Sequence, residues 1–225
     1  MDQTDVIYKN ELGNVLKNKL VIKKPALEIP RAVFHMIAAT SAIVYFYLSD
    51  FAGAMILLVV GIIFSGADIL RTSSKTVRSL IPSFILNMVR DKEQDKISAI
   101  THFIIAAVLV DFLYLFFALP KDTVLAATMF AAFGDPLARL AGIRFGKRKI
   151  FNTAKTYIGS ISFFVAGATT AFLLGMLLGS SITITSLLIG GAIITAIEVF
   201  SGDWDNFAVP FVGTLVFWGL LFIGI

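Results

Sequence analysis

The chain of 225 residues has no cysteine, only two histidines and only 15% charged residues. The missing cysteine excludes disulfide staples, thiolate metal sites and cysteine nucleophiles, and leaves the redox compartment open. Soluble domains carry about 25% charged residues. So little charge excludes a water-soluble enzyme, a nucleic-acid-binding domain and a disordered tail. The start, Met1-Asp-Gln-Thr-Asp5, lacks the basic-then-apolar pattern of a cleavable signal peptide. The first spanning helix is therefore expected to serve as the targeting signal.

What is present is apolar: 57% hydrophobic residues, 21 phenylalanines and a mean hydropathy of +0.87. This composition predicts an all-α, polytopic membrane protein. A crossing helix needs about 20 mostly apolar residues. On that rule seven spans are expected, at Arg31–Leu48, Phe51–Ile69, Ile97–Leu119, Thr123–Ile143, Tyr157–Leu178, Thr183–Phe200 and Asn206–Ile225. Of the 19 Lys and Arg residues, all but Lys121 then share one face, which predicts a cytoplasmic N-terminus. Residues 1–30 read as a cytoplasmic amphipathic segment and 31–225 as a single transmembrane domain. Two stretches read as interfacial helices or simple anchors. One is the stripe Leu12, Val15, Leu16 and Leu20; the other is Val77, Leu80, Ile81, Phe84, Ile85 and Met88, interrupted by Pro82. Small residues recur every four positions at Gly134, Ala138, Gly142 and Gly146, and again at Gly167, Ala171, Gly175 and Gly179. That spacing lets helices approach closely in lipid; packing within the bundle is its default use and a homodimer face the alternative.

Charged groups in a hydrocarbon core are costly and mark function or structural ion pairs. In the seven-span reading His35, Asp68, Arg71, His102, Asp135, Arg139, Glu198, Asp203, Asp205 and Asn206 fall at one depth, beside the basic loops. Asp111 is the exception. Asp68/Arg71 and Asp135/Arg139 also have the spacing of helical ion pairs. The densest stretch runs from Gly134-Asp135 through Ala138, Arg139, Gly142 and Gly146-Lys147-Arg148-Lys149 to Lys155-Thr156 and Gly159-Ser160. A buried carboxylate there can hold Mg²⁺ through oxygen ligands. The cations can neutralise a polyphosphate, and the helix opening after Thr156 offers an N-terminus to anions. Carboxylate, basic loop and helix start are the parts phosphoryl transfer requires. A membrane anchor and close helix packing are the plainer uses of the same cations and glycines.

This stretch resembles the membrane-embedded CTP-dependent lipid kinases: dolichol kinases, phytol kinases and CTP-using diacylglycerol kinases, distantly related to phosphatidate cytidylyltransferases. Arg31…His35, Arg90…Glu93 and Glu198…Asp205-Asn206…Pro210 resemble further elements of the family in the same order. Ile158 stands where that family usually has Glu.

The resemblance implies a CTP-dependent polyprenol-type kinase in the cell membrane or the endoplasmic reticulum membrane, its site facing the cytoplasm. Asp135, Glu198 and Asp205 are expected to hold Mg²⁺ and, with Lys155, to be catalytic. Nucleotide is expected on Gly134, Arg139, Gly142, Gly146, Lys147, Arg148, Lys149, Thr156, Gly159, Asn206, Arg90 and Arg71. His35, Asp68 and Glu93 are expected at the lipid headgroup. The expected partners are a membrane lipid and a nucleoside triphosphate, with no nucleic acid. A cytidylyltransferase acting on a lipid phosphate is the nearest rival. A transporter is the more distant one, because transporters place polar sites near the midplane between repeats and no repeat is visible here.

Overall fold

The computed structural model describes residues 50–81, 93 and 95–225. The span expected at residues 31–48, the stripe at residues 12–20, His35, Arg90 and most of the second amphipathic stretch lie outside the described residues. Within them the chain is helical, with no strand. In chain order the elements are α1 (Asp50–Ser73), the short α2 (Lys75–Leu80), α3 (Ala99–Phe117), α4 (Lys121–Phe145), α5 (Tyr157–Leu178), α6 (Ile184–Phe200) and α7 (Asp205–Phe222). Five of them, α1, α3, α4, α5 and α7 (the last together with its preceding turn), are long and apolar enough to cross a membrane. The sixth, α6, has 17 residues, which at 1.5 Å per residue is roughly 25 Å, just short of the hydrocarbon thickness.

The helix starts follow from local chemistry. Ser98, Thr156 and Thr183 cap α3, α5 and α6, their hydroxyls accepting from the N–H groups of Thr101, Gly159 and Ser186. Each of these satisfies one of the orphan donors of a first turn. Gly179 closes α5 in the left-handed region at φ +70°, where a residue without Cβ pays no steric penalty.

Packing sorts the helices by side-chain size. The α4 helix is the central one, with 67% of its span buried against 22% for α1, α3 and α5. Its inward positions are small, Ala126, Ala127, Ala131, Ala132 and Ala138, so α5 and α7 come close on either side. Phe130 fills the remaining space against Phe163 of α5 and Phe217 of α7, with ring centroids 5.7 and 6.1 Å away. Gly167 and Gly191 make room for that ring, since a Cβ on either would lie 2.2 or 2.7 Å from it. Large apolar side chains such as Ile62, Ile63, Phe116, Leu177 and Phe222 face outward, as a lipid solvent favours. The α1 helix packs on α3, α3 on α7, and α6 on both α5 and α7.

One irregularity positions the site. Between Lys121–Met129 and Asp135–Phe145 the α4 helix widens into a π-turn over Phe130–Gly134, and the Asp135 N–H bonds to the Phe130 carbonyl. Pro136 explains the widening. It has no N–H for the Ala132 carbonyl and its ring crowds that oxygen, and a wider turn relieves both. Such turns recur at functional sites, and this one ends at Asp135.

Candidate functional site

Two polar clusters lie at the same end of the bundle. The first joins α1 to α3. Arg71 Nε donates to Asp68 Oδ1 at 2.8 Å, and Arg71 Nη2 donates to the backbone carbonyls of Glu93 and Lys96 at 3.2 and 2.6 Å. Asp68 Oδ2 accepts from the Ser98 N–H at 2.6 Å and from the Thr101 hydroxyl at 2.8 Å, while Glu93 accepts from the Ala99 N–H at 3.3 Å. Asp68, Arg71 and Glu93 are thereby committed to the start of α3. None of the three lines the cavity described next. What the structure shows for them, expected at headgroup (Asp68, Glu93) and phosphate (Arg71), is a capping network, and a buried carboxylate is a strong acceptor for the orphan N–H groups of a helix start.

The second cluster lines a cavity of about 430 Å³ between α4, α5, α6 and α7, within the range of small-molecule sites. Asp135 comes from α4 just after the π-turn, Glu198 from the end of α6, and Asp205 from the start of α7. One ligand oxygen from each of these lies within 4.8 Å of the others, and the residues are 8%, 1% and 4% exposed. Lys155, on the loop before α5, reaches into the group. Its Nζ pairs with Glu198 Oε1 and lies 2.8 Å from Asp205 Oδ2. Burial alone would lower the Lys155 pKa, but Asp205, Glu198 and Asp135 outweigh it and raise it. The group is an ammonium throughout the physiological range.

Asp205 is held on its second oxygen too, since Asn206 donates to Oδ1 through both its backbone N–H and its Nδ2, each at 2.9 Å, while Lys155 takes Oδ2. Asn206 therefore supports a carboxylate, and it does not line the cavity. Two buried atoms on the cavity wall have no hydrogen-bond partner among the described residues, Glu198 Oε2 and Ser160 Oγ. Arg139, Thr153, Thr156 and Asp203 complete the polar part of the lining, with Gly142, Gly159 and Gly202 between them.

The loop between α4 and α5 decides which cations face inward. It doubles back through a bridge between Lys149 and Thr156, with the Ile150 N–H on the Lys155 carbonyl at 2.9 Å and the Tyr157 N–H on the Arg148 carbonyl at 3.3 Å. Ile150 is buried as its anchor, and Lys147, Arg148 and Lys149 are exposed. The three consecutive cations expected to hold phosphate thus stand outside the cavity wall, and Lys155 and Arg139 are the cations that line it.

The glycines serve the close packing that is the default use of their spacing. A Cβ on Gly142 or Gly159 would press on the Thr156 hydroxyl at 3.0 Å, one on Gly146 at 2.5 Å, and one on Gly134 on Phe163 at 3.0 Å. They exist to let α4, α5 and the Thr156 cap pack together, although Gly142 and Gly159 also line the cavity. The Asn206 support was missed because it depends on adjacent backbone geometry. Ser160 has a signal in the sequence too, since it lies four residues after Thr156, on the same helix face.

The residues present fit a divalent cation. Four carboxylates line the cavity, Asp135, Glu198, Asp203 and Asp205, against the two cations Arg139 and Lys155. The balance is two negative charges, and a buried carboxylate oxygen without a partner is costly unless a cation or donor meets it.

No family model and no solved structure matches the chain. Over 186 residues, 81% of this chain and 89% of the other, it is 25% identical to an uncharacterized protein of Rickettsia prowazekii (strain Madrid E).

Proposed function

We propose that the protein is a Mg²⁺-dependent phosphotransferase that moves the γ-phosphoryl group of CTP to the hydroxyl of a membrane lipid alcohol of the polyprenol type. The observation that carries this reading is the convergence of three buried carboxylates with Lys155 in one cavity, one carboxylate oxygen still lacking a partner. Lipid and CTP rest on the family resemblance, and the apolar helices supply the lipid environment.

Asp135, Glu198 and Asp205 would hold Mg²⁺, which when bound supplies positive charge against the developing charge of the transferred group. Lys155 and Arg139 meet the polyphosphate as the cations on the cavity wall. Asp203, the remaining lining carboxylate, would orient the acceptor hydroxyl and take its proton. The bond formed is from the lipid oxygen to the γ-phosphorus; the bond broken is from that phosphorus to the bridging oxygen, and CDP leaves. In this reading α1 and α3–α7, with a further span at residues 31–48, make the seven crossings, and the cavity faces the cytoplasm.

γ-Labelled CTP, Mg²⁺ and vesicles containing either a polyprenol or diacylglycerol test it. Label in the lipid extract is the expected result. Label in pyrophosphate identifies cytidylyl transfer instead, and Mg²⁺-independent or absent label overturns the proposal.

A further inference from the structure

Lys155 occupies the place where a metal ion would be expected to act. Its Nζ bonds to Glu198 and Asp205 at once, and Asp135 is the third oxygen donor in the same group. An ammonium and a divalent cation repel each other strongly at such separations, and little solvent screens them in a buried site. The two cations therefore compete for these oxygens. Nor does the ammonium satisfy the site: Glu198 Oε2 has no partner among the described residues although Glu198 is 1% exposed. A single positive charge also leaves the cavity lining two charges short of neutrality. The lysine stem has a way out. Its side chain is 22% exposed, and the loop that carries it is held by its own backbone bonds. The four-carbon stem can swing while the backbone stays in place.

We propose that Lys155 is a tethered counter-ion that fills the tricarboxylate site when it is empty and exchanges there with a divalent cation, its ammonium moving onto the oxyanion that accompanies the metal. The inference rests on the reading of Asp135, Glu198 and Asp205 as metal ligands and adds an order of events: the lysine is bound by the carboxylates first and reaches phosphate only after displacement. The exchange also protects the fold, since it keeps three buried carboxylates from facing one another uncompensated. The unmet charge falls at each stage. The ammonium leaves two carboxylate charges unmet, and a divalent cation in its place meets all but one, the displaced ammonium then facing the phosphate it helps to bind.

Mn²⁺ titration of the full chain in nanodiscs, without nucleotide or lipid, tests the exchange. Removing a competitor must tighten metal binding, so Lys155→Met is expected to bind Mn²⁺ about 10-fold or more tightly than wild type, while Lys155→Arg stays weak. The opposite sign, an unchanged or weaker affinity in folded Lys155→Met, overturns the proposal. A measurement on the wild type covers the case in which that variant does not fold. Mn²⁺ should speed acylation of the Lys155 amine by a water-soluble amine reagent, read by mass spectrometry against the exposed Lys147 and Lys149. Equal or slower acylation overturns the proposal. Neither measurement depends on CTP or on lipid phosphorylation, so a failed kinase assay with a positive exchange would reject the activity and leave the exchange standing.

Discussion

Asp205 is buried and also held in place by its neighbour. Its Oδ1 takes two donors from Asn206 and its Oδ2 takes Lys155, so one oxygen is fixed and the other is exchangeable. Supporting bonds of this kind are typically worth about 10- to 100-fold in metal affinity, and Asn206→Ala should lose Mn²⁺ affinity by that much while Asn206→Asp should not restore it. Ser160 makes the complementary case. A buried hydroxyl without a partner costs on the order of 1–3 kcal/mol, so Ser160→Ala should raise the unfolding midpoint of the ligand-free protein and reduce the further rise on adding CTP and Mg²⁺. A lower ligand-free midpoint would mean the hydroxyl is satisfied. For Asp135, replacement by Asn should cost on the order of 10³-fold in turnover, as loss of a transition-state stabiliser does. The added change Arg139→Gln should not recover it; a double variant with near wild-type turnover would reduce Asp135 to a structural ion pair. The three carboxylates stand out in the sequence because charge is so rare in and beside the apolar spans. Which cation faces inward does not: Lys147, Arg148, Lys149 and Lys155 look alike in sequence, and the bridge between Lys149 and Thr156 separates them.

At the scale of elements, α5 was read at its true bounds, Tyr157–Leu178, because a threonine cap and a glycine stop enclose an unbroken apolar run. The α4 helix extends two residues beyond its expected span at each end, to Lys121–Phe145. Its π-turn was not foreseen, since it answers to Pro136 and leaves no mark on hydropathy. The loop and helix join at Gly146, and there packing and function meet. A Cβ at that position would lie 2.3 Å from the Gly142 carbonyl and 2.5 Å from the Thr156 hydroxyl, and neither atom sits on a flexible tip. Gly146→Ala should therefore push aside the Thr156 cap and, with it, Lys155. A misplacement of about 1 Å is enough for a loss of about 10²-fold in turnover, with no change in any ligand residue. Gly66→Ala is the control, because nothing lies within 4 Å of its Cβ. It should leave both turnover and the unfolding midpoint unchanged. Equal effects of the two substitutions would remove the packing account of Gly146.

Over the whole molecule, the connections place the Asp68–Arg71 cluster and the Lys155 cluster at one end. The end of α1 is tied to the start of α3 through Arg71 and Asp68. The start of α3 touches the turn before α7 where His102 meets Trp204 edge-on at 4.8 Å. The end of α6, the start of α7 and the loop before α5 meet at Lys155. At the other end Asp122, in the first turn of α4, accepts from the Ser181 N–H at 2.8 Å, just before α6. Lys121 stands there too, a full α4 length away from the basic loop, which for 25 residues at 1.5 Å each is roughly 37 Å. That separation exceeds the hydrocarbon thickness, so Lys121 and Lys149 must lie on opposite sides if α4 crosses. By the positive-inside rule, the excess of cations at the cavity end would then put that end in the cytoplasm, as the proposed function requires. With no cysteine in the chain, single cysteines need no background removal. In sealed, right-side-out vesicles a membrane-impermeant maleimide should label cysteine at Lys121 or Ser181 directly, and at Lys96 or Lys149 only after permeabilisation. Direct labelling at both Lys121 and Lys149 would mean that α4 does not span. The reverse pattern, Lys149 labelled and Lys121 protected, would turn the cavity outward, away from any cytoplasmic nucleotide, and would end the kinase proposal without disturbing the metal site.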